Sequence, residues 1–228
     1  MQYSSFDRRQ ILKGAGALGL TAGGLELVSS APLAEPALFA SSCLLTPAQV
    51  VGPYYRDLNL VRRDVTEGLA GIPLVLFLKV LDVDGCTPLV GAETEIWHTH
   101  ALGKYSNFAS EGTAGQTWMR GVQFTNAQGV ATFRTIYPGW YSGRTTHIHL
   151  KAYPQTGWEL NTQLYFHDPF TSQVYAQAPY AARGQKNTSN AADGFYAPEL
   201  TLTTKPARDP LTGDFVIVAG HTIVVDRP

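Results

Sequence analysis

Scarcity of charge is the first feature of this chain. Only 15% of its 228 residues are charged, 17 Lys and Arg stand against 18 Asp and Glu, and the net charge is −1. No basic run is present, which argues against a nucleic acid as partner. Long apolar runs are missing too. The only extended weakly apolar stretch, Gly14 to Val28, contains five glycines and is too short and too polar to span a membrane. Beyond it, no window keeps a long, clean 3.6-residue apolar period. Cysteine is limited to Cys43 and Cys86. In an exported protein an even pair reads as a disulfide, with two buried thiols as the other reading. A lipid anchor on Cys43 is disfavoured, because Ala40-Ser41-Ser42 makes a poor lipid-attachment motif and lies far from the apolar run.

The composition that remains is globular: 44% apolar, with 22 Gly and 14 Pro to punctuate short elements. Ser5-Phe6-Asp7-Arg8-Arg9-Gln10-Ile11-Leu12-Lys13 precedes the Gly/Ala/Leu stretch. Paired arginines ahead of such a run match a twin-arginine export signal. Five glycines oppose an amphipathic helix of the folded body, since each costs about 1 kcal/mol inside a helix. The expected organisation is a signal segment over 1–34, with an open cleavage point, and one domain over 35–228. The mature protein is expected in the periplasm or outside the cell.

Apolar-rich or alternating segments recur between turn signals. They are Ile72 to Val83, Thr94 to His98, Val130 to Ile136, Thr146 to Tyr153, Thr162 to Phe166, Glu199 to Thr203, Phe215 to Ala219 and Thr222 to Val225. Asn126-Ala127-Gln128-Gly129 reads as the turn of a hairpin. The expected fold is all-β, an antiparallel β-sandwich of about seven to eight strands with long loops. Tyr180 to Pro198 is polar and reads as a long surface loop, a candidate cover for a site.

Chemistry concentrates in Tyr137 to Leu150. With Thr146 to Tyr153 as a strand, His147 and His149 face one side, their Cα atoms roughly 6.6 Å apart, while Ile148, Leu150 and Ala152 face the core. Two imidazoles on one face suit a metal ion, although two surface histidines look the same in sequence. Zinc sites usually add a third His, a Cys or a carboxylate, and ferrous oxygenases add a carboxylate. No Asp or Glu lies between Tyr137 and Lys151, whereas tyrosines abound at 105, 137, 141 and 153. Phenolate is a hard anionic donor suited to a trivalent ion, which lowers the phenol pKa from near 10. Two phenolates and a hydroxide would neutralise ferric iron and make its burial tolerable.

Taken together, Gly52-Pro53-Tyr54-Tyr55, the run Glu95 to Ser106, Arg120 to Phe124, Pro138 to Tyr141, Arg144 to His149 and Thr162 to Phe166 resemble the intradiol ring-cleavage dioxygenases. This is the family of catechol, hydroxyquinol and protocatechuate dioxygenases. The resemblance implies Fe(III) held by Tyr105, Tyr141, His147 and His149. It implies that Tyr141 leaves the metal when the diol binds, and that Arg144 stabilises negative charge developing on the substrate, with Gln163 beside it. Tyr54 and Tyr55 are implied as pocket residues. Substrate and co-substrate would be a small aromatic diol and O2, and the product a cis,cis-muconate-type diacid. Two positions depart from common family usage: Val51 stands where a Glu is frequent, and Thr99-His100 where Cys-Asp is frequent. Both leave the preferred diol open, and oligomeric state is open as well.

Singly, each of these residues has an ordinary reading: a packed tyrosine, a solvated arginine, a polar strand residue. Two other functions fit parts of the pattern. One is an extracellular β-sandwich binding module without catalysis. The other is a zinc- or copper-dependent hydrolase using His147, His149 and a further His. His98 and His100 also share a face by alternation and could mimic a second metal pair.

Overall fold

The protein is described by a computed structural model over residues 38–39, 43–154, 158–209 and 213–226. The export-signal reading and its boundary at residue 34 lie outside the described residues.

Among the described residues eight strands form two four-stranded sheets. In chain order they are β1 (Pro73–Asp82), β2 (Glu93–Trp97), β3 (Arg120–Phe124), β4 (Val130–Ile136), β5 (His147–Tyr153), β6 (Leu160–Tyr165), β7 (Thr203–Arg208) and β8 (Phe215–Val225). The first sheet has the order β4-β1-β8-β7 and the second β3-β2-β5-β6. The all-β sandwich and its strand number are as expected. Pairing is antiparallel with one exception: β1 and β8 run parallel over Leu74–Asp82 and Ile217–Val225. Parallel neighbours need a long crossover, and here the crossover is the whole chain between them.

Alternation places Leu74, Leu76 and Leu78 of β1, Ile96 of β2, Ile148 and Leu150 of β5, and Leu164 of β6 in the core, all of them essentially inaccessible. Burying each such side chain stabilises the fold by about 1.5–3 kcal/mol. Cys43 and Cys86 are bonded, with their Cα atoms 5.8 Å apart.

Several elements differ from the expected ones. Phe215 to Val225 is one strand, because Gly220 continues the ladder and its bare Cα admits Leu38. Glu199 belongs to a short 3-10 turn at Pro198–Leu200, and the neighbouring strand begins at Thr203. That strand, β7, contains Pro206, which an edge position tolerates. β3 has no place among the expected strands; Gly121 and Gln123 blur its alternation. α1 (Asp168–Tyr175) is too short to show a helical period, yet buries Phe170, Thr171, Val174 and Tyr175. Residues 180–198 lie mostly at the surface, as expected, but are anchored at several points. They make 3-10 turns at Tyr180–Ala182 and Asn190–Ala192, and Tyr180, Asn190 and Asp193 are buried.

Candidate active site

The second sheet has one face on the core and one turned away from it. On the outward face the register aligns Trp97 of β2 with His149 of β5, and His149 with Gln163 of β6. His147 lies beside Tyr165 on the same face. The strand period therefore presents both imidazoles outward, while loops cover them to 4% and 1% exposure.

The two tyrosines come from loops that interlock. Gly139 lies so close to residues 100 and 101 that a Cβ would stand 2.5 Å from both carbonyl oxygens. Gly103, at φ +79°, would collide with the Trp140 carbonyl in the same way. The Gly139 amide donates to the His100 carbonyl at 3.2 Å, and the Thr99 hydroxyl donates to the Gly139 carbonyl at 2.9 Å. These contacts bring segment 99–105 against segment 138–141. Tyr105 is then held by its own backbone: its N–H donates to Glu111 Oε2 at 2.6 Å and its carbonyl accepts from Thr113 Oγ1 at 2.6 Å.

Four donor atoms meet as a result. Tyr105 Oη is 3.3 Å and Tyr141 Oη 3.5 Å from His147 Nε2, which is 3.2 Å from His149 Nε2. Such separations suit donors arranged about 2 Å from a common centre. His147 Nδ1 lies 2.7 Å from the Thr145 carbonyl, which fixes the Nδ1–H tautomer and turns the Nε2 lone pair inward. His149 is oriented differently, by stacking on Trp97 at 4.8 Å and 5°. Burial, reinforced by the Arg144 charge, drives the His147 pKa down to about 3. His149 is held well below its ordinary value by burial and by His147. Both rings are therefore neutral donors. Burial pushes the Tyr105 phenol well up and the Tyr141 phenol up, with Arg144 opposing the rise at each. Only a strongly charged cation would draw phenolates from such positions. The set thus fits a hard trivalent ion. Among the described residues no group of three or more His, Cys, Asp and Glu is placed to hold a metal, so no third such donor joins His147 and His149.

Arg144 follows the turn at Gly143 and reaches back over the site. Its Nη2 donates to Gln163 Oε1 at 2.6 Å and its Nε to Asp193 Oδ2 at 2.9 Å. Gln163, fully buried, also donates from Nε2 to the Val50 carbonyl at 3.2 Å. Tyr54 stacks on Tyr105 with centroids 4.2 Å apart and meets Tyr141 edge-on at 5.7 Å. Its carbonyl accepts from the buried Arg120 at 2.9 Å.

Tyr55, paired with Tyr54 in sequence, turns elsewhere. Its hydroxyl donates to Glu95 Oε2 at 3.1 Å, and it lines a separate cavity of about 580 Å³ with Asp57, Glu93, Phe124 and Tyr153. The turn at Pro53–Tyr54 sends the two rings to different places. Of the two expected pocket residues, the structure thus places the Tyr54 ring against Tyr105 and the Tyr55 hydroxyl against Glu95. Nor do His98 and His100 form a second pair. His98 Nε2 meets Thr135 Oγ1 at 2.8 Å, and its Nδ1 meets the Thr99 carbonyl at 2.9 Å. His100 stacks on Trp118 beyond the end of β2. Asp193 and Phe195 have no counterpart in the sequence reading. The only hint was that residues 180–198 could cover a site.

This fold and donor set describe a β-sandwich protein with a candidate metal centre of two phenols and two imidazoles. A family model described as Dioxygenase matches residues 50–195, well over half of the chain. An intradiol ring-cleavage dioxygenase from Tetranychus urticae is 26% identical, with a TM-score of 0.71 over 81% of this chain and 95% of that one. The dioxygenase domain of a dioxygenase–carbohydrate-binding fusion from a cellulolytic Streptomyces is 30% identical, with a TM-score of 0.61 over 81% and 99%. Catechol 1,2-dioxygenase of Acinetobacter baylyi is 29% identical over 58% of this chain and 50% of that protein. The chain thus spans about half the length of the curated relatives it matches. It belongs to the intradiol ring-cleavage dioxygenase family.

Proposed function

We propose that this protein opens the ring of a catechol-type diol between its two hydroxyl-bearing carbons, using O2 and ferric iron, and releases a cis,cis-muconate-type diacid. The observation that carries the reading is that the Tyr105, Tyr141 and His149 donor atoms all come within 3.2–3.5 Å of His147 Nε2. These four side chains would hold the iron. When bound, ferric iron supplies charge to chelate the diol oxygens and makes the ring reactive toward O2.

The chain's own residues have separate tasks. Tyr105 is fully buried and pinned at its backbone, so it serves as a fixed ligand. Tyr141 is partly exposed and borne on a loop, so its Oη is the one free to leave and take a proton from the incoming diol. Tyr54 walls the site with its ring. Arg144 cannot lose its proton and is set beside Tyr141, where it stabilises negative charge developing on the substrate. The hydrolase alternative lacks a third imidazole at the site among the described residues. A binding module has no need of four donors in register.

The test is O2 uptake with catechol by iron-loaded protein, with ¹⁸O₂ and mass spectrometry of the product. Two labelled oxygens in a ring-opened diacid, together with a visible phenolate-to-iron band, are expected. A colourless protein that binds catechol without consuming O2 would favour the binding module.

We also propose that the protein is exported by the twin-arginine route, as one domain over 35–228. Supporting this are the Arg8-Arg9 motif and the Cys43–Cys86 bond, which suits an oxidising compartment. Mass analysis of protein recovered from outside the cytoplasm would show a shortened N-terminus.

A further inference from the structure

Arg144 is a long side chain just beyond a glycine turn, and nothing local would hold its guanidinium in one orientation. Three contacts do so, and two come from one short stretch of the 180–198 segment. Asp193 Oδ2 accepts from Arg144 Nε at 2.9 Å. The Phe195 ring lies under the guanidinium, 4.7 Å from Cζ. Gln163 takes Nη2 on the other side at 2.6 Å. Nη1 takes part in none of these bonds.

Asp193 is itself set with care. Its side chain is wholly inaccessible. Oδ2 also accepts from the Thr145 amide at 2.7 Å, and Oδ1 accepts from the Phe195 amide at 2.9 Å. The Phe195 carbonyl is tied in turn by Gln49 Nε2 at 2.6 Å, and Tyr165 Oη lies 2.7 Å from it. One carboxylate therefore fastens three things together: the guanidinium, the backbone entering β5 two residues before His147, and the residue that carries the Phe195 ring. A carboxylate on Nε fixes the plane of a guanidinium as well as its place.

We propose that Asp193 is a positioning residue for ring cleavage, holding Arg144 by Nε so that the guanidinium faces the substrate position beside Tyr141. The proposal rests on the function proposed above. It assigns a reaction-related task to the 180–198 segment, which contributes no metal ligand. A plain structural role would be to tie that segment to Thr145, and the experiment separates the two.

Turnover of catechol is measured by O2 uptake for wild type, Asp193→Asn, Arg144→Ala and the double variant. Iron content and visible spectrum are recorded on the same samples. Asparagine keeps the shape and an acceptor oxygen but loses the charge. Its kcat should fall about ten- to hundredfold, the scale expected for a misplaced group. KM, iron content and the visible band should stay near wild type. In the Arg144→Ala background the same change should cost less than about twofold more, because residues acting as a unit are not additive. Asp193→Glu, which keeps the charge but displaces it by a methylene, serves as the second variant if asparagine does not fold. It should lower kcat with KM, iron and colour retained. Wild-type kcat in either variant overturns the proposal, and so do losses that multiply in the double variant. An iron-loaded, coloured wild type that consumes no O2 with catechol overturns the functional reading, and the proposal with it. Activity in wild type with no coupling between Asp193 and Arg144 overturns the proposal alone.

Discussion

The outward face of the β3-β2-β5-β6 sheet has two ends, built from the same strands a few residues apart. At one end β2 and β5 contribute Trp97 and His149; two residues along, they contribute Glu95 and Lys151; two further, Glu93 and Tyr153. The first end gathers neutral imidazoles and phenols at His147 Nε2, with the Arg144 guanidinium held nearby on Gln163. The second gathers Asp57, Glu93 and Glu95 with Tyr55 and Tyr153 around an open cavity. Both ends are polar, and both carry strongly shifted groups. The difference lies in convergence. At the candidate metal end, the Tyr105, Tyr141 and His149 donor atoms stand 3.2–3.5 Å from His147 Nε2. At the acidic end the groups pair off: Tyr55 with Glu95 at 3.1 Å, and Lys151 with Glu159 at 2.9 Å. Polar residues on one face make a site only when they address a common point. A perturbed pKa alone does not distinguish a site from a satisfied pair.

Removing a donor at the metal end should break the contrast outright. His149→Ala deletes one of two imidazoles and should cost most of the iron, the visible band and turnover together, as elemental analysis and absorbance on one sample would show. Retention of one iron per chain would mean that the donors do not act as a set.

Arg144→Ala should act on chemistry alone. Turnover is expected to drop by about a hundred- to a thousandfold with iron and colour kept, as for the loss of one preorganised donor. Arg144→Lys should recover only part, since a point charge cannot bond Asp193 and Gln163 through a planar fork. Full activity in the iron-loaded alanine variant would remove Arg144 from the mechanism. Tyr141→Phe comes next: a shifted band, retained iron and turnover slowed by about a hundredfold, the low end for losing a proton-transfer group. An unchanged spectrum with unchanged turnover would show that Tyr141 is no ligand.

The acidic end should respond only in stability. Burial, with Asp57 and Glu93 adding to it, raises the Glu95 pKa from 4.5 to about 7, against the opposing Tyr55 hydroxyl and Lys151 charge. The folded state then holds a proton between pH 4.5 and about 7 that the unfolded chain releases, so stability falls as pH rises through that window. Glu95→Gln should melt higher than wild type at pH 8, and the gap should close near pH 4. Its iron content and turnover should match wild type. A turnover loss like that of Arg144→Ala would make the two ends one site.

How much of this was legible in the sequence depends on the range of each relation. That His147 and His149 share a face follows from a two-residue period, a property of any strand. Val130–Ile136 and the core-facing Ile148 and Leu150 were readable for the same reason. Which of the tyrosines are the candidate ligands was legible by resemblance alone, because nothing local in Tyr105 or Tyr141 sets them apart from Tyr137 or Tyr153. Their meeting with His147 depends on bare glycines at 103 and 139, which let two loop backbones touch. Tyr54 and Tyr55 show the limit from the other side: adjacent and identical, they are parted by a turn into two different places. The parallel pairing of β1 with β8 and the grip of Asp193 on Arg144 belong wholly to the tertiary structure. Asp193 and Arg144 are 49 residues apart, and no periodicity in either segment refers to the other. By itself the sequence determined the strand faces and the types of donor available. Packing alone decided which of those donors share a point, because convergence is set by backbone clearance and loop closure between distant segments.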